Sequence, residues 1–230
     1  MTFFNPIYKR RSASLAATCA LVLGGFASAA IAGPTAADAA TCTATVGTPC
    51  VITGTATLGA GVLSAIVPGS LTWATTLNGL GQQIVDTTAA DQGYTVDDAT
   101  GSSAGWHVTV SATTFTNGSA TLPDTGSFST TGSVTSATAT TAPSQACTSA
   151  GDCTLPDNTA TTYPVAITTA ATTPTPVTVY NAAAASGIGS TDIGGSTSTN
   201  PVGWWIHVPG TTTPGTYTST ITINVISGPT

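Results

Sequence analysis

Carboxylates are the side chains of this sequence best suited to acid–base chemistry, and their spacing argues against catalysis. The nine acidic residues are all Asp. Glycan hydrolysis uses two positioned carboxyl groups, one with a raised pKa. Asp97 and Asp98 are adjacent, so a strand would point their side chains to opposite faces. Neither a Ser-His-Asp nor a metal-His pattern appears. The sequence therefore predicts no enzyme, no catalytic residue and no metal ligand.

The same residues leave one cofactor as an alternative. Asp86, Asp91, Asp97 and Asp98 lie close together in the sequence, and calcium sites collect carboxylate and carbonyl oxygens from loops. A solvated acidic loop has the same composition. We expect no cofactor, and keep Ca²⁺ as the alternative, in a calcium-dependent adhesion module.

A second chemical signal is the pentapeptide Leu122-Pro123-Asp124-Thr125-Gly126, which fits the LPxTG motif that sortases cleave. A sorting signal also needs an apolar stretch and a basic tail behind the motif. The chain instead continues to a C-terminal segment with the alternation of a half-buried strand. We interpret the pentapeptide as a hairpin connection between the strands at Trp106 and Phe128, because Pro fixes φ and Gly accepts positive φ.

The N-terminal region predicts export. Residues 1–32 contain Lys9, Arg10 and Arg11, then an apolar run and small residues, as in a secretory signal peptide. Cleavage is expected after residue 32, or as late as residue 40. Residues 41–230 are expected to form a single domain, secreted to the cell surface or cell wall, with no membrane span after cleavage.

Removal of that peptide leaves no Lys or Arg, since the only three lie at positions 9–11. Nucleic acid binding needs cations that displace counterions from phosphates, so this class of partner is excluded. Cross-linking through lysine amines is excluded by the same count. Apolar burial, backbone hydrogen bonds and disulfides must then stabilise the fold.

Four cysteines remain after cleavage, Cys42, Cys50, Cys147 and Cys153. An even number in an exported chain predicts two disulfides. Three pairings are possible in principle, and the short loops favour two local ones, Cys42 with Cys50 and Cys147 with Cys153. The spacings do not match zinc motifs.

Composition and periodicity predict an all-β fold. Apolar residues recur with period two, and turn residues separate the segments, which is typical of an antiparallel β-sandwich. Long Thr-, Ala- and Pro-rich surface loops are expected, chiefly over 137–162. The predicted strands are Cys50–Thr57, Leu71–Leu77, Gln82–Asp86, Trp106–Ser111, Ser127–Thr135, Pro164–Thr169, Val177–Tyr180, Trp204–Val208 and Thr216–Ile226.

Strand phase assigns the tryptophans to faces. Trp106 and Val108 share one face of their strand, which is the expected core face. In the segment 203–209, Trp204 shares a face with Ile206, and Trp205 lies with His207 on the opposite face. An aromatic ring beside an imidazole suits a sugar or peptide surface, whereas packing of Trp205 under a loop is the alternative.

Two motifs resemble those of cell-surface proteins with a WxL domain, in particular the actinobacterial branch. The inner one is Trp106-His107-Val108, with Val108 in the place of Leu. The terminal one, of the form Tyr-x-x-x-(Leu/Ile/Val)-Thr-Trp-(Thr/Ser)-Leu, is matched by Tyr217, Ile221 and Thr222, whereas Ile223 stands for its Trp. The likeness extends from about Leu58 to Pro229.

The resemblance implies a secreted all-β domain that associates non-covalently with peptidoglycan or another cell-wall polymer. We therefore predict a structural or adhesive role without catalysis. Other surface proteins or further copies of the chain are additional expected partners. The alternative is a surface fibre, assembled by pairing of the Tyr217–Ile226 edge strand. The candidate wall-binding residues are Trp106, Val108, Trp204, Trp205, His207, Tyr217, Ile221 and Thr222.

Overall fold

The structure is a computed structural model that describes Val46 and residues 54–230. The chain divides into two units, Met1–Ala56 and Thr57–Thr230, and all described strands lie in the second unit. The predicted signal peptide, its cleavage sites, the domain start at residue 41 and the Cys42–Cys50 disulfide lie outside the described residues.

Strands dominate the second unit, as the period-two pattern predicts, and the described helical structure is one 3-10 turn, Ala89–Asp91. The strands are β1 Leu63–Ile66, β2 Gln82–Val85, β3 Gly93–Asp98, β4 Trp106–Ala112, β5 Thr116–Asn117, β6 Ala120–Thr121, β7 Phe128–Thr131, β8 Gln145–Cys147, β9 Val165–Ile167, β10 Val177–Ala182, β11 Gly189–Gly194, β12 Gly203–Val208 and β13 Ile221–Ser227.

Three antiparallel sheets surround one core. Their strand orders are β1-β3-β11-β8, β10-β4-β13 and β2-β12-β7-β9, and β5 and β6 form a separate small hairpin. Hydrophobic residues from all three sheets join one buried cluster. The predicted all-β sandwich is therefore confirmed.

Aromatic rings organise this core around Phe128. Its ring stacks on Trp204 with centroids 6.2 Å apart, and meets Trp73 and Phe115 edge to face at 5.9 and 5.8 Å. Such pairs add about 0.5–1.5 kcal/mol each beyond the area they bury. The interior is thus fixed by aromatic geometry, since residues 54–230 contain no Lys or Arg to form salt bridges.

The predicted phase of β4 is correct. Trp106, Val108 and Val110 are completely buried on one face. Thr109 and Ser111 on the other face are also buried, because β4 is the central strand between β10 and β13.

The segment Leu71–Leu77 is an exception, because its alternation predicts a strand and it forms none. It is bonded to the sandwich by single contacts instead of a ladder: Trp73 Nε1 donates to the Trp204 carbonyl at 3.0 Å, and the Thr72 amide donates to the Asp86 carboxylate at 2.6 Å. Alternation indicates that one face of a segment is buried. A segment that lies across the sandwich without strand pairing also buries one face, and we call residues 71–77 the strap. Residues 54–57, the described part of the predicted strand Cys50–Thr57, also form no strand.

The region 137–162, predicted as one long loop, contains the short strand β8. Gln145 to Cys147 pair with Thr191 to Ile193 of β11. Cys147 then forms a disulfide with Cys153, and this local pairing confirms the prediction.

Among residues 54–230, no helix is long and apolar enough to cross a membrane.

Candidate functional site

Four of the predicted wall-binding side chains lie inside the domain. Trp106 and Val108 are 0% exposed, Trp204 is 1% exposed and Trp205 is 5% exposed. A buried side chain cannot contact a cell-wall polymer unless the domain opens. Their assignment as contact residues is therefore corrected: strand phase predicts which face a residue occupies, but not what covers that face.

Trp205 does lie on the face of β12 opposite Trp204, as predicted, and a loop covers it. Its indole Nε1 donates hydrogen bonds to Thr131 Oγ1 at 3.1 Å and to the Ser133 carbonyl at 2.9 Å. Residues 135, 137 and 138 of the same loop continue over the ring and line a depression with it. Trp205 thus holds the loop after β7, and its ring is not an open stacking platform.

All four indole N–H groups of the chain are satisfied inside the domain. Those of Trp73 and Trp205 bond as described above, Trp106 donates to the Gly187 carbonyl at 2.8 Å, and Trp204 donates to the Asp91 carbonyl at 3.0 Å. Buried tryptophans usually satisfy their N–H group in this way. The hydrogen bonds of Trp106, Trp204 and Trp205 therefore hold these buried side chains within the fold.

His207 is the half-buried neighbour of Trp205 on the same face of β12. Its cross-strand partner is Gln83 of β2. A Cβ atom placed on Gly81 would lie 3.0 Å from the His207 Nε2 atom. The imidazole is therefore packed against the chain that enters β2.

The remaining three predicted residues, Tyr217, Ile221 and Thr222, line one groove of about 1190 Å³. The groove lies between two stretches of chain, 67–77 on one side and 212–223 on the other. Its other lining residues come from β2, from β12 and from either side of the small hairpin: Ile84, Phe115, Leu122, Ile206 and Val208. This groove is the candidate site, because three of the predicted residues lie together in it.

The chemistry of the groove is apolar and neutral. None of its lining residues carries a charge. Trp73 and Phe115 meet edge to face at 5.8 Å at its base, and the Tyr217 hydroxyl donates to the Thr213 carbonyl at 3.1 Å. Threonine and serine hydroxyls supply its remaining polar groups. Such a surface suits an uncharged, largely apolar ligand.

Trp73 is a groove residue that the sequence pattern did not mark as a candidate. It shares with Leu71 and Leu77 the alternation of the predicted strand, and this alternation placed all three on one inward face. The alternation did not reveal that the groove separates the strap, which carries Trp73, from β13.

The outer edge of β13 opens into this groove. The Thr113 amide donates to the Thr220 carbonyl, and the Gly228 amide donates to the Gly105 carbonyl, both at 2.9 Å. Hydrogen-bonded pairs alternate along an antiparallel ladder, so the even-numbered residues of β13 direct their backbone groups to β4. The amides and carbonyls of Ile221, Ile223 and Val225 point away from β4.

Within residues 54–230, no hydrogen bond takes up these outward-facing groups. β1 contacts β13 but is not hydrogen-bonded to it. The chain after β1 begins the far wall of the groove at Val67. Ile221 and Ile223 meanwhile pack their side chains against the core. The edge therefore combines an apolar face that packs on the core with backbone groups that no described residue pairs.

Several carboxylates of residues 54–230 accept hydrogen bonds from their own fold. Residues 54–230 hold no group of three or more His, Cys, Asp or Glu side chains that could bind a metal ion. Asp98 is buried in β3 and accepts hydrogen bonds from the amide and hydroxyl of Thr100, at 3.1 and 2.6 Å. Asp97, the preceding residue, lies on the other face of the strand, as the sequence predicts.

Asp86 and Asp91 are two carboxyl groups that interact. Burial, and then the charge of Asp86, raise the pKa of Asp91. Asp86 accepts hydrogen bonds from the amides of Thr72 and Thr88, at 2.6 and 2.8 Å, and so fixes the strap and the turn after β2. Neither carboxylate lines the groove or the Trp205 depression. Their role is to join segments of the fold.

The LPDTG motif forms a turn, as predicted, but not a hairpin. It connects β6 to β7, and these strands belong to different sheets and do not pair. Leu122 is 3% exposed, and Gly126 has a φ of 79°. Asp124 accepts hydrogen bonds from the hydroxyls of Thr114 and Thr169, which lower its pKa. The motif is thus held to the domain by Leu122 and Asp124.

Comparison of the chain with protein-family models, with curated proteins and with solved structures finds no match. The WxL-like motifs therefore remain a resemblance in sequence, and the groove is the feature from which a function can be inferred.

Proposed function

We propose that this protein is a secreted, non-catalytic structural subunit of the cell surface that assembles through β-strand pairing at the groove. The observation that carries the proposal is the open edge of β13 beside an uncharged apolar cavity. An added strand would pair with the free backbone groups of Ile221 and Ile223 and bury its apolar side chains in the cavity. The backbone hydrogen bonds between the added strand and β13 would supply affinity, and the fit of its side chains in the cavity would supply specificity.

The composition of the exposed edge supports this function. Edge strands of monomeric proteins usually carry Lys, Pro or a bulge that prevents pairing. β13 has the sequence Ile-Thr-Ile-Asn-Val-Ile-Ser, with none of these, and residues 54–230 contain no Lys at all. The edge is suited to association.

Sedimentation of the secreted protein over a range of concentrations, combined with electron microscopy, tests the proposal. The expected result is a concentration-dependent polymer of regular width that withstands high salt and a chelator and dissociates in denaturant. A species that remains monomeric at high micromolar concentration would contradict the proposal.

Non-covalent cell-wall association is the second candidate, and a separate observation favours it. Trp73 and Tyr217 place aromatic surface in the same groove as threonine hydroxyls, a combination that suits sugar rings. Incubation with isolated peptidoglycan, followed by washes with salt, chelator and denaturant, tests this function. Retention through the salt and chelator washes is expected, whereas release by chelator would point to a metal bridge. No sedimentation with peptidoglycan would exclude the candidate.

A further inference from the structure

We infer that the strand taken up by the groove is the stretch Ile52–Leu58 of a second copy of this chain. The inference rests on the proposed assembly by strand pairing and names the partner. It joins two features of one molecule. The first is the edge of β13, and the second is a sequence that alternates like a strand but whose described residues, 54–58, form none.

The stretch has the pattern of a strand with one apolar face. Thr53, Thr55 and Thr57 alternate with Ile52, Gly54, Ala56 and Leu58. This period of two places every hydroxyl on one side and every apolar residue on the other. The face made of Ile52, Ala56 and Leu58 has the chemistry of the groove, since neither contains a charge.

The described part of this stretch does not pair with any strand of its own chain. Residues 54–58 form no strand and are exposed, and Leu58 is 91% exposed. Val62, four residues further along, is 72% exposed. Sequences with clean alternation are normally found paired in a sheet, so the alternation of residues 54–58 remains available for pairing with a partner.

Position in the chain favours a second copy as the acceptor. The Gly61 amide donates to the Ala99 carbonyl at 2.8 Å and fixes the chain just before β1. The groove wall begins at Val67, beyond the opposite end of β1. The described chain before β1 therefore joins the domain at the end of β1 opposite Val67.

Donation to a neighbouring copy is a head-to-tail contact. Each copy gives one strand and receives one, so the contact generates a chain of subunits, or a closed ring whose smallest form is a reciprocal dimer. Because neither surface is charged, the acidic character of the rest of the domain does not oppose the contact directly.

Two charge substitutions in the stretch separate pairing from folding. Leu58→Asp places a carboxylate on the apolar face, and Thr57→Asp places the same charge on the hydroxyl face; both positions are exposed in the single chain. We expect Leu58→Asp to raise the concentration needed for assembly roughly tenfold or more, and Thr57→Asp to change it much less. Equal effects of the two variants would overturn the assignment of faces and the inference with it.

Cross-linking identifies the acceptor. A photoreactive benzophenone residue replaces Thr222, in protein secreted by cells that express all 230 residues, and isotopically heavy and light chains are mixed in denaturant and reassembled before illumination. The expected product links position 222 of one isotope to residues 52–58 of the other. Links confined to chains of one isotope would show that the stretch docks on its own domain, and would overturn the inference.

The same experiment distinguishes the inference from the function on which it rests. Assembly with links from position 222 to another segment would overturn the inference and leave strand pairing in place. Absence of assembly for the unsubstituted protein would remove both.

Discussion

The indole nitrogen of Trp106 donates a 2.8 Å hydrogen bond to the carbonyl of Gly187, and a Cβ on that glycine would stand only 2.6 Å from the same nitrogen. The indole of Trp106 thus depends on Gly187 in two ways: the glycine carbonyl accepts its hydrogen bond, and the missing glycine side chain leaves space for the ring. Gly187 also has a φ of 68°, which L residues rarely adopt.

This relationship predicts large stability losses from small changes. Trp106→Phe removes the donor and leaves the buried carbonyl unpaired, so we expect a loss of about 2–4 kcal/mol in the free energy of unfolding. Gly187→Ala should cost at least about 2 kcal/mol through the positive φ and the clash. Urea denaturation measures both. Gly118→Ala is a useful control, since it shares a positive φ of 59° but has open space around it, and it should cost less than Gly187→Ala.

The loop over Trp205 should depend on the indole N–H. Trp205→Phe keeps an aromatic ring on β12 but removes the donor to Thr131 and Ser133. We expect faster amide hydrogen exchange in residues 132–138, and a loss of about 1–3 kcal/mol. Peptidoglycan sedimentation by this variant should equal that of the parent, because the ring is buried. Loss of sedimentation with the fold intact would restore Trp205 as a contact residue.

Asp124 should make stability depend on pH in acid. Hydrogen bonds from Thr114 and Thr169 hold its pKa below the usual value. Its contribution is therefore complete above the unfolded pKa of about 3.9, and is lost as the pH falls through the lower folded value. Asp124→Asn removes this term, so the stability deficit of the variant should shrink as the pH falls below about 4. Denaturation midpoints between pH 2 and 6 measure it.

Asp91 provides a control with the opposite sign. Burial and the charge of Asp86 raise its pKa, so its contribution is present below the unfolded pKa and is lost as the pH rises through the folded one. Relative to the parent, Asp91→Asn should gain stability as the pH increases over the same range. Parallel pH profiles for the two variants would contradict the opposite signs assigned to Asp91 and Asp124.

The Cys147–Cys153 disulfide should stabilise the β8 end of its sheet. It closes a loop with a sequence separation of six, for which chain entropy gives about 2 kcal/mol. We expect the double variant Cys147→Ala, Cys153→Ala to lose about that amount, with increased hydrogen exchange concentrated in β8 and β11. An unchanged midpoint would show that backbone pairing of β8 suffices without the covalent link.

The LPDTG motif should resist sortase while the domain is folded. Leu122 is buried and Asp124 is hydrogen-bonded to two neighbouring segments, so the motif cannot extend into an enzyme cleft. Incubation with a sortase and a glycine nucleophile should leave the native protein intact. Cleavage between Thr125 and Gly126 under native conditions would contradict this.

The sequence predicted the fold well where one strand face is apolar throughout. β4 and β12 were found with the correct phase because Trp106, Val108, Trp204 and Ile206 mark their inner faces. β3 was missed even though Tyr94 and Val96 alternate, since the third inward residue is Asp98, whose carboxylate is satisfied by Thr100. β11 was missed for a similar reason, because Thr191 occupies one of its two buried positions.

The candidate site was less predictable. Tyr217 and Ile221 were placed on the last strand, but its open edge depends on where the strap after β1 lies, and no local pattern encodes that distance. The buried tryptophans were misleading because an indole suits a ligand surface and a core equally well, and only the loop at 132–138 decides the case for Trp205.

The pairing order of β4 has a consequence for how the chain folds. Its two neighbours are β10 and β13, so residues 106–112 reach their final hydrogen bonds only when residues 177–182 and 221–227 are available. Contacts this distant in sequence form slowly, because the intervening loop must close first. The central sheet therefore cannot be completed before residues 221–227 have been synthesised. Until then β4 lacks one of its two hydrogen-bonded neighbours, so the strand at the centre of the sheet is the last to acquire all of its partners.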